Sequence, residues 1–272
     1  MKRALVKSWI APLVCEPRHD AEPDDEALYG MTLEVLEALD GDWFRIKTPY
    51  RYESYCHGSD LCFDEAEIER YDRAEKRVVS APTADVLTSE SYQAPRVATV
   101  TRGALVALLG MDEEGKWAKL RLIGGAIGYT RQSHLGDYHV VPNGDEAQLR
   151  KNIVETAKTY LGAQYRWGGR TPLGIDCSGL ASEAYRLNGV VIYRNADIKE
   201  GFPLREIPRG EMKSGDLLFY PGHVMIYLGN GKYIHATGRK GDDGVVINSL
   251  DPADADYRED LDKGMTAVGS IF

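Results

Sequence analysis

The sequence predicts an α+β protein in which two small β-barrels precede a domain where a cysteine-bearing helix packs on an antiparallel sheet carrying histidines. Three observations predict it. A segment before residue 140 recurs at a shift of 74 positions. Two capped helix patterns follow, at 145–161 and 178–188. Four short apolar runs then lie near 216–221, 223–228, 232–237 and 245–249, with the alternation of strands. The expected domains are 1–72, 73–140 and 141–272.

The chain has 272 residues, 43% of them apolar and 28% charged, enough for several compact cores and too ordered a composition for wholesale disorder. No apolar run approaches the roughly 18 residues of a membrane span. Met1-Lys2-Arg3 imitates the start of an export signal, but Lys7 and Pro12 interrupt the apolar run and no small-residue cleavage site follows. The expectation is a cytoplasmic protein, or a secreted one if a longer signal precedes this chain. Alternation across Leu5, Lys7, Trp9 and Ala11 predicts one first strand. Net charge is −9, all of it within 1–72, where 8 basic face 17 acidic side chains. This excludes a basic footprint for nucleic acid. The acidity reads as solvation, or as a rim attracting a substrate's amino group. Cys56 and Cys62, with His57 between them, do not match zinc-knuckle spacing, so no metal and no cofactor are expected, and buried free thiols fit better.

In the repeat, Gly41 falls on Gly115, Trp43 on Trp117, Tyr55 on Tyr129, Ser59 on Ser133 and Leu61 on Leu135. Each copy reads as apolar strand, polar turn ending in Gly-x-Trp, second strand, then an aromatic before a Ser-x-Leu exit. The pattern resembles bacterial SH3-like domains. The tryptophans read as core plugs.

Pro142-Asn143-Gly144 marks a linker. Asp145 can cap the helix beyond it, with Gln148 in the reciprocal position. Leu149, Ile153, Ala157 and Leu161 form its apolar stripe, and Gly162 ends it. The second helix begins beside Asp176-Cys177-Ser178-Gly179 and closes at Gly189. Cys177 falls in its first turn, where free backbone N–H groups and the helix dipole favour an anion, so a depressed thiol pKa is expected. Gly179 leaves room for backbone approach.

His223 and His235 lie on consecutive strands joined by Gly229-Asn230-Gly231. A two-residue Asn-Gly loop would pair Gly229 with Lys232 and put the histidines on opposite faces. A three-residue loop would pair Met225 with His235 and make the histidines diagonal neighbours on one face. The three-residue loop is expected, because it lets one imidazole orient the other. His223 then acts as base for the Cys177 thiol and His235 fixes its tautomer. The backbone N–H of Cys177 and the phenol of Tyr165 are candidate oxyanion donors.

Tyr165-x-Trp167-Gly168-Gly169, Asp176-Cys177-Ser178-Gly179, Gly215-Asp216-Leu217, Gly222-His223-Val224 and Ile234-His235-Ala236 together resemble NlpC-type peptidoglycan peptidases over about 150–272. The resemblance implies a papain-like catalytic domain, the Cys-His-His roles just given, the oxyanion part for Tyr165, and hydrolysis of the γ-D-glutamyl–L-diamino acid bond of wall peptides. Two SH3-like domains ahead of it resemble the subgroup acting on tri- or tetrapeptide fragments with a free N-terminal L-alanine. There the first barrel reads the ammonium. Glu53, beside Tyr52 and Tyr55, is the candidate here, with a plain surface position as the equal alternative; Tyr92 is a second candidate, and Trp167 lines the substrate. Asp176 and Ser178 are expected to hold the substrate backbone or glutamyl carboxylate, and Arg194, in a loop at the cleft edge, to meet that carboxylate. Asn195 departs from the subgroup, which tends to have Asp there, so strict selection for a free amino terminus does not follow at this position. The rival functions are a hydrolase of intact wall, a thiol amidase or acyltransferase, and a binding module. The sequence leaves the oligomeric state open, with a monomer expected.

Overall fold

The computed structural model describes residues 2–272, in two compact units, 2–138 and 139–272. The first unit holds two seven-stranded antiparallel sheets. One contains β1 (Lys2–Val6), β2 (Ile10–Val14), β3 (Pro23–Leu28), β4 (Thr32–Leu39), β5 (Trp43–Lys47), β6 (Glu53–His57) and β7 (Leu61–Cys62). Helix α1 (Glu65–Arg73) follows, then β8 (Glu75–Val79), β9 (Thr83–Leu87), β10 (Arg96–Thr101), β11 (Leu105–Met111), β12 (Trp117–Arg121), β13 (Ile127–Arg131) and β14 (Leu135–Asp137). The spatial orders are β3-β2-β6-β5-β4-β1-β7 and β10-β9-β13-β12-β11-β8-β14, the same order with every label raised by seven. The repeat in the sequence is therefore a repeat of topology. Even the bulge recurs, between Val35 and Glu37 in β4 and between Leu108 and Gly110 in β11. Trp43 and Trp117 are both buried.

The single first strand expected across Leu5–Ala11 is two strands. The chain turns at Lys7-Ser8-Trp9, where the Lys7 N–H donates to the Asp60 carbonyl instead of continuing a ladder. Helix α1 lies outside the sequence expectation. Asp64 caps it, accepting from Ala66 N and Glu67 N, and its Ile68 and Tyr71 pack with Leu5 and Ala107 of the two sheets. The Tyr71 hydroxyl donates to the Leu105 carbonyl at 2.6 Å, and the buried Glu67 carboxylate accepts from Arg121 at 2.8 Å.

In the second unit, α2 (Glu146–Lys158) is capped by Asp145, which accepts from Gln148 N at 2.9 Å. The Gln148 side chain turns to Asn152 rather than back to the cap. After the short pair β15 (Arg170–Thr171) and β16 (Gly174–Ile175) comes α3 (Cys177–Arg186). The sheet follows with β17 (Arg205–Ile207), β18 (Leu217–Tyr220), β19 (His223–Gly229), β20 (Lys232–Thr237), β21 (Gly244–Ser249), helix α4 (Glu259–Gly264) and β22 (Ala267–Ser270), in the order β17-β22-β18-β19-β20-β21. Val224, Ile226, Ile234 and Ala236 face α2 and α3 and form one core with Ile153, Leu180 and Ala184. The opposite face carries Met225, Tyr227 and Tyr233. Helix α3 is anchored by charge as well as packing. Glu183 is fully buried and accepts from Arg170 at 2.6 Å and Arg186 at 2.7 Å, so the carboxylate is neutralised where it is desolvated. Among the described residues no helix is long and apolar enough to cross a membrane.

Candidate active site

The β19–β20 turn departs from expectation while the relation it was meant to provide is present. Gly229 pairs with Lys232, so the loop is the two-residue Asn230-Gly231, with φ +50° and +74°. That is the doubly left-handed conformation of a type I′ turn, which Asn-Gly favours. A bulge at Leu228 then absorbs one residue, so Tyr227 faces Tyr233 and Ile226 faces Ile234. The shift restores the register in which His223 and His235 are diagonal neighbours on one face. Their rings lie 5.0 Å apart at the centroids, edge to face, and His223 Nε2 lies 2.8 Å from His235 Nδ1.

The row continues into the next strand. His235 pairs with Val246 and Tyr233 with Asn248, which puts Asn248 diagonal to His235 on the same face. Asn248 Oδ1 lies 2.9 Å from His235 Nε2. Asn248 and His235 are buried. The sequence reading missed Asn248. The signal was its place in the alternation of β21, which becomes informative only once the β20–β21 register is known.

Cys177 opens α3 and is buried. The backbone N–H groups of Ser178 and of Val224, the residue after His223, lie near its sulfur and favour the thiolate. The cysteine and the strand that carries His223 thus meet at the start of β19. The thiol is not depressed as expected. Burial, then the nearby Asp176 carboxylate, push it up to about 11, and the two N–H groups and Arg194 do not offset them. Burial likewise pushes His223 down to about 3, helped by His235 and Arg258, and His235 down to about 4 despite the Asn248 hydrogen bond. The resting pair is neutral thiol and neutral imidazole. A buried site disfavours charge on either partner unless the proton moves as bond formation proceeds.

Arg194 is corrected in place, and Asp176 has a structural role that the sequence expectation did not include. Asp176 Oδ1 caps α3 through Gly179 N at 2.6 Å, and Oδ2 accepts from Gly168 N at 2.9 Å, tying down the 165–169 loop. Both carboxylate oxygens also accept from Arg194, at 3.1 Å each, and Arg194 donates to Ser178 Oγ at 2.8 Å. Arg194 is 1% exposed. Its guanidinium is turned inward beneath the nucleophile, not outward at the cleft edge, because the buried Asp176 charge requires a buried partner. Ser178 is spoken for in the same network. Gly179 has the role expected of it, since a Cβ there would stand 2.2 Å from the Gly169 carbonyl oxygen.

Tyr165 sits with its ring against Gly238 and near Cys177, Asp176 and Arg194. Burial pushes its phenol up to about 12, which keeps it a neutral donor. Trp167 is largely exposed in the same loop, and Asn195 is exposed beside Arg194. In the first unit, Glu53 on β6 is exposed and already paired with Arg45 at 2.7 Å, with Lys47 at 3.9 Å. Tyr92 lies in the turn between β9 and β10 of the other sheet, its ring 5.4 Å from Trp117, with Arg131 over both rings. The structure does not bring Glu53 and Tyr92 together.

A helix-opening cysteine near the start of the strand that carries His223, with a second imidazole hydrogen-bonded to the first, fits the class of thiol peptidases of mixed helix and sheet. A sequence profile described as the NlpC/P60 family matches residues 162–256. The chain is 42% identical over 271 residues to "Dipeptidyl-peptidase 6" of Lysinibacillus sphaericus, covering 99% of each. It is 30% identical over 254 residues to the "Gamma-D-glutamyl-L-lysine dipeptidyl-peptidase" of Bacillus subtilis strain 168, covering 85% of this chain and 79% of that one. The protein belongs to the NlpC/P60 family and is a peptidase. A crystal structure of an NlpC/P60 family protein from Bacillus cereus has the same fold, with a TM-score of 0.81 over 98% of both chains at 18% identity.

Proposed function

We propose that the protein is a cysteine peptidase that hydrolyses the γ-D-glutamyl–L-diamino acid bond of peptidoglycan-derived peptides, releasing L-Ala-γ-D-Glu from fragments with a free N-terminal L-alanine, in the cytoplasm. The observation that carries the chemistry is the hydrogen-bonded line from Asn248 through His235 to His223, ending where β19 meets the Cys177 sulfur. The bond specificity is supported by the name of the Bacillus subtilis relative, and release of a dipeptide by the names of both.

In the mechanism, His223 Nδ1 takes the Cys177 proton as the sulfur attacks the amide carbon. The developing oxyanion is met by the Cys177 N–H and the Tyr165 hydroxyl. The imidazolium then gives its proton to the leaving amine of the diamino acid, and a thioester remains. Water, deprotonated by the same imidazole, cleaves the thioester and the proton returns to sulfur. Asp176 and Arg194 hold the loop and helix that frame this centre.

The test is incubation with L-Ala-γ-D-Glu-L-lysine, its diaminopimelate counterpart, the N-acetylated forms and intact sacculi, read by mass spectrometry. Release of L-Ala-γ-D-Glu from the free tripeptides, lost in Cys177→Ala, is the expected result. Cleavage confined to sacculi would replace the substrate, and cleavage of neither would overturn the assignment.

A further inference from the structure

Two neutral imidazoles in series hold two protons, and the line from Asn248 to His223 offers them two arrangements. In one, both rings are protonated at Nε2. His235 then donates to Asn248 Oδ1 at 2.9 Å, His223 donates to His235 Nδ1 at 2.8 Å, and His223 Nδ1 is bare. In the other, both rings are protonated at Nδ1. His235 Nε2 and Asn248 Oδ1 are then two acceptors facing each other in a buried site, so the amide has to turn over and present Nδ2 instead, and His223 has no lone pair left at Nδ1 for the thiol proton. The amide at the far end of the line decides between them, and its observed orientation, with Oδ1 toward His235, goes with the first.

We propose that Asn248 is a positioning residue of the catalytic centre: by accepting from His235 Nε2 it sets the tautomers of both rings and keeps His223 Nδ1 free as the base. The proposal rests on the reading that Cys177 and His223 carry the chemistry, and not on which peptide bond is cut. An amide suits this role where a carboxylate would alter it. The site already disfavours imidazolium through burial and through the Arg258 guanidinium, which precedes α4 and acts on both rings. Asp260 of α4 opposes Arg258 at His235, and the neutral phenols of Tyr233 and Tyr220 flank the two rings at 5.3 and 6.3 Å. At the start of α3 the charged groups that act on Cys177 are Asp176 and Arg194. A neutral acceptor fixes proton position while stabilising the protonated ring less than a carboxylate would, and burial outweighs it, so the base stays unprotonated at neutral pH. Asn248 acts on β21, two strands away from the base, and touches no reacting atom.

The test uses the full chain and three variants, with kcat, KM, melting temperature and the pH profile measured for each. Asn248→Leu keeps the volume and removes the acceptor; kcat is expected to fall about 10- to 100-fold with KM within about twofold. Asn248→Asp restores an acceptor; activity near pH 8 is expected to return, with the acidic limb of the profile moved about one unit or more towards higher pH by the added charge. Nitrogen-15 spectra of the histidines in a Cys177→Ala background should show His223 as the Nε2–H form, and a mixture once Asn248→Leu is added. Wild-type kcat in Asn248→Leu, a His223 protonated at Nδ1 in the parent protein, or equal losses in the Leu and Asp variants that track melting temperature would each overturn the proposal. If Cys177→Ala is inactive while Asn248→Leu is unaffected, the tautomer role fails and the thiol chemistry stands. If Cys177→Ala retains activity, the thiol chemistry itself fails.

Discussion

Arg194→Met separates a scaffold from a substrate contact. In the structure Arg194 is 1% exposed and spans both oxygens of Asp176. Methionine fills the stem's volume and removes the charge, leaving the Asp176 carboxylate buried without its counter-ion. Removing one member of a buried pair costs about 3–5 kcal/mol. The low end applies here, because Gly168 N, Gly179 N and the Ser178 hydroxyl continue to bond the carboxylate. A loss of about 3 kcal/mol lowers the melting temperature of a unit this size by roughly 10 °C. Calorimetry of the full chain reads the shift, and the double variant Asp176→Asn/Arg194→Met should recover part of it, since the orphaned charge is gone and an Asn still caps α3. Measured well below the transition, KM of Arg194→Met should stay close to the parent value. A variant that melts with the parent but binds substrate tenfold more weakly would refute the inward role and return Arg194 to the cleft.

Other outcomes follow from the same geometry. Iodoacetamide labelling of Cys177 should accelerate about tenfold per pH unit through the alkaline range, because burial holds the thiol up at about 11; a plateau near pH 6 would show a preformed thiolate. Gly179→Ala puts a Cβ 2.2 Å from the Gly169 carbonyl oxygen, so it should destabilise by about 1–3 kcal/mol and reduce kcat, and an unchanged melting curve would contradict the close approach. His223 and His235 have folded pKa values near 3 and 4, below the ordinary 6.5, so below about pH 6.5 the unfolded chain binds protons that the folded chain does not. Stability should therefore fall as pH drops from about 6.5 towards 4, and His235→Gln should flatten that slope; an unchanged slope would argue against neutral burial.

Much of the catalytic unit is legible in local sequence. Cys177 beside a capping Asp176, and histidines opening or centring alternating strands, announce themselves through caps and period. The repeat is legible too, because Trp43/Trp117 and the Ser-x-Leu exits recur at fixed spacing. What escapes is set by distant partners. The bulge at Leu228 has no local signature that separates it from a longer loop, and only the pairing of β19 with β20 reveals it. Arg194 looks like a cleft residue until Asp176, eighteen positions earlier, is seen to need its charge. The thiol's ionisation is a matter of burial, which the helix-terminus argument does not contain. Asn248 carries no motif at all. Its meaning comes from lying diagonal to His235 across a register.

The proposed chemistry requires that the Cys177 sulfur become acylated during turnover. Rapid acid quench of the protein with L-Ala-γ-D-Glu-L-lysine, followed by peptide mapping, tests it directly. The predicted result is a transient L-Ala-γ-D-Glu acyl group on the peptide containing Cys177, absent in Cys177→Ala. Turnover that persists in Cys177→Ala, or an acyl group that maps to another residue, would contradict it.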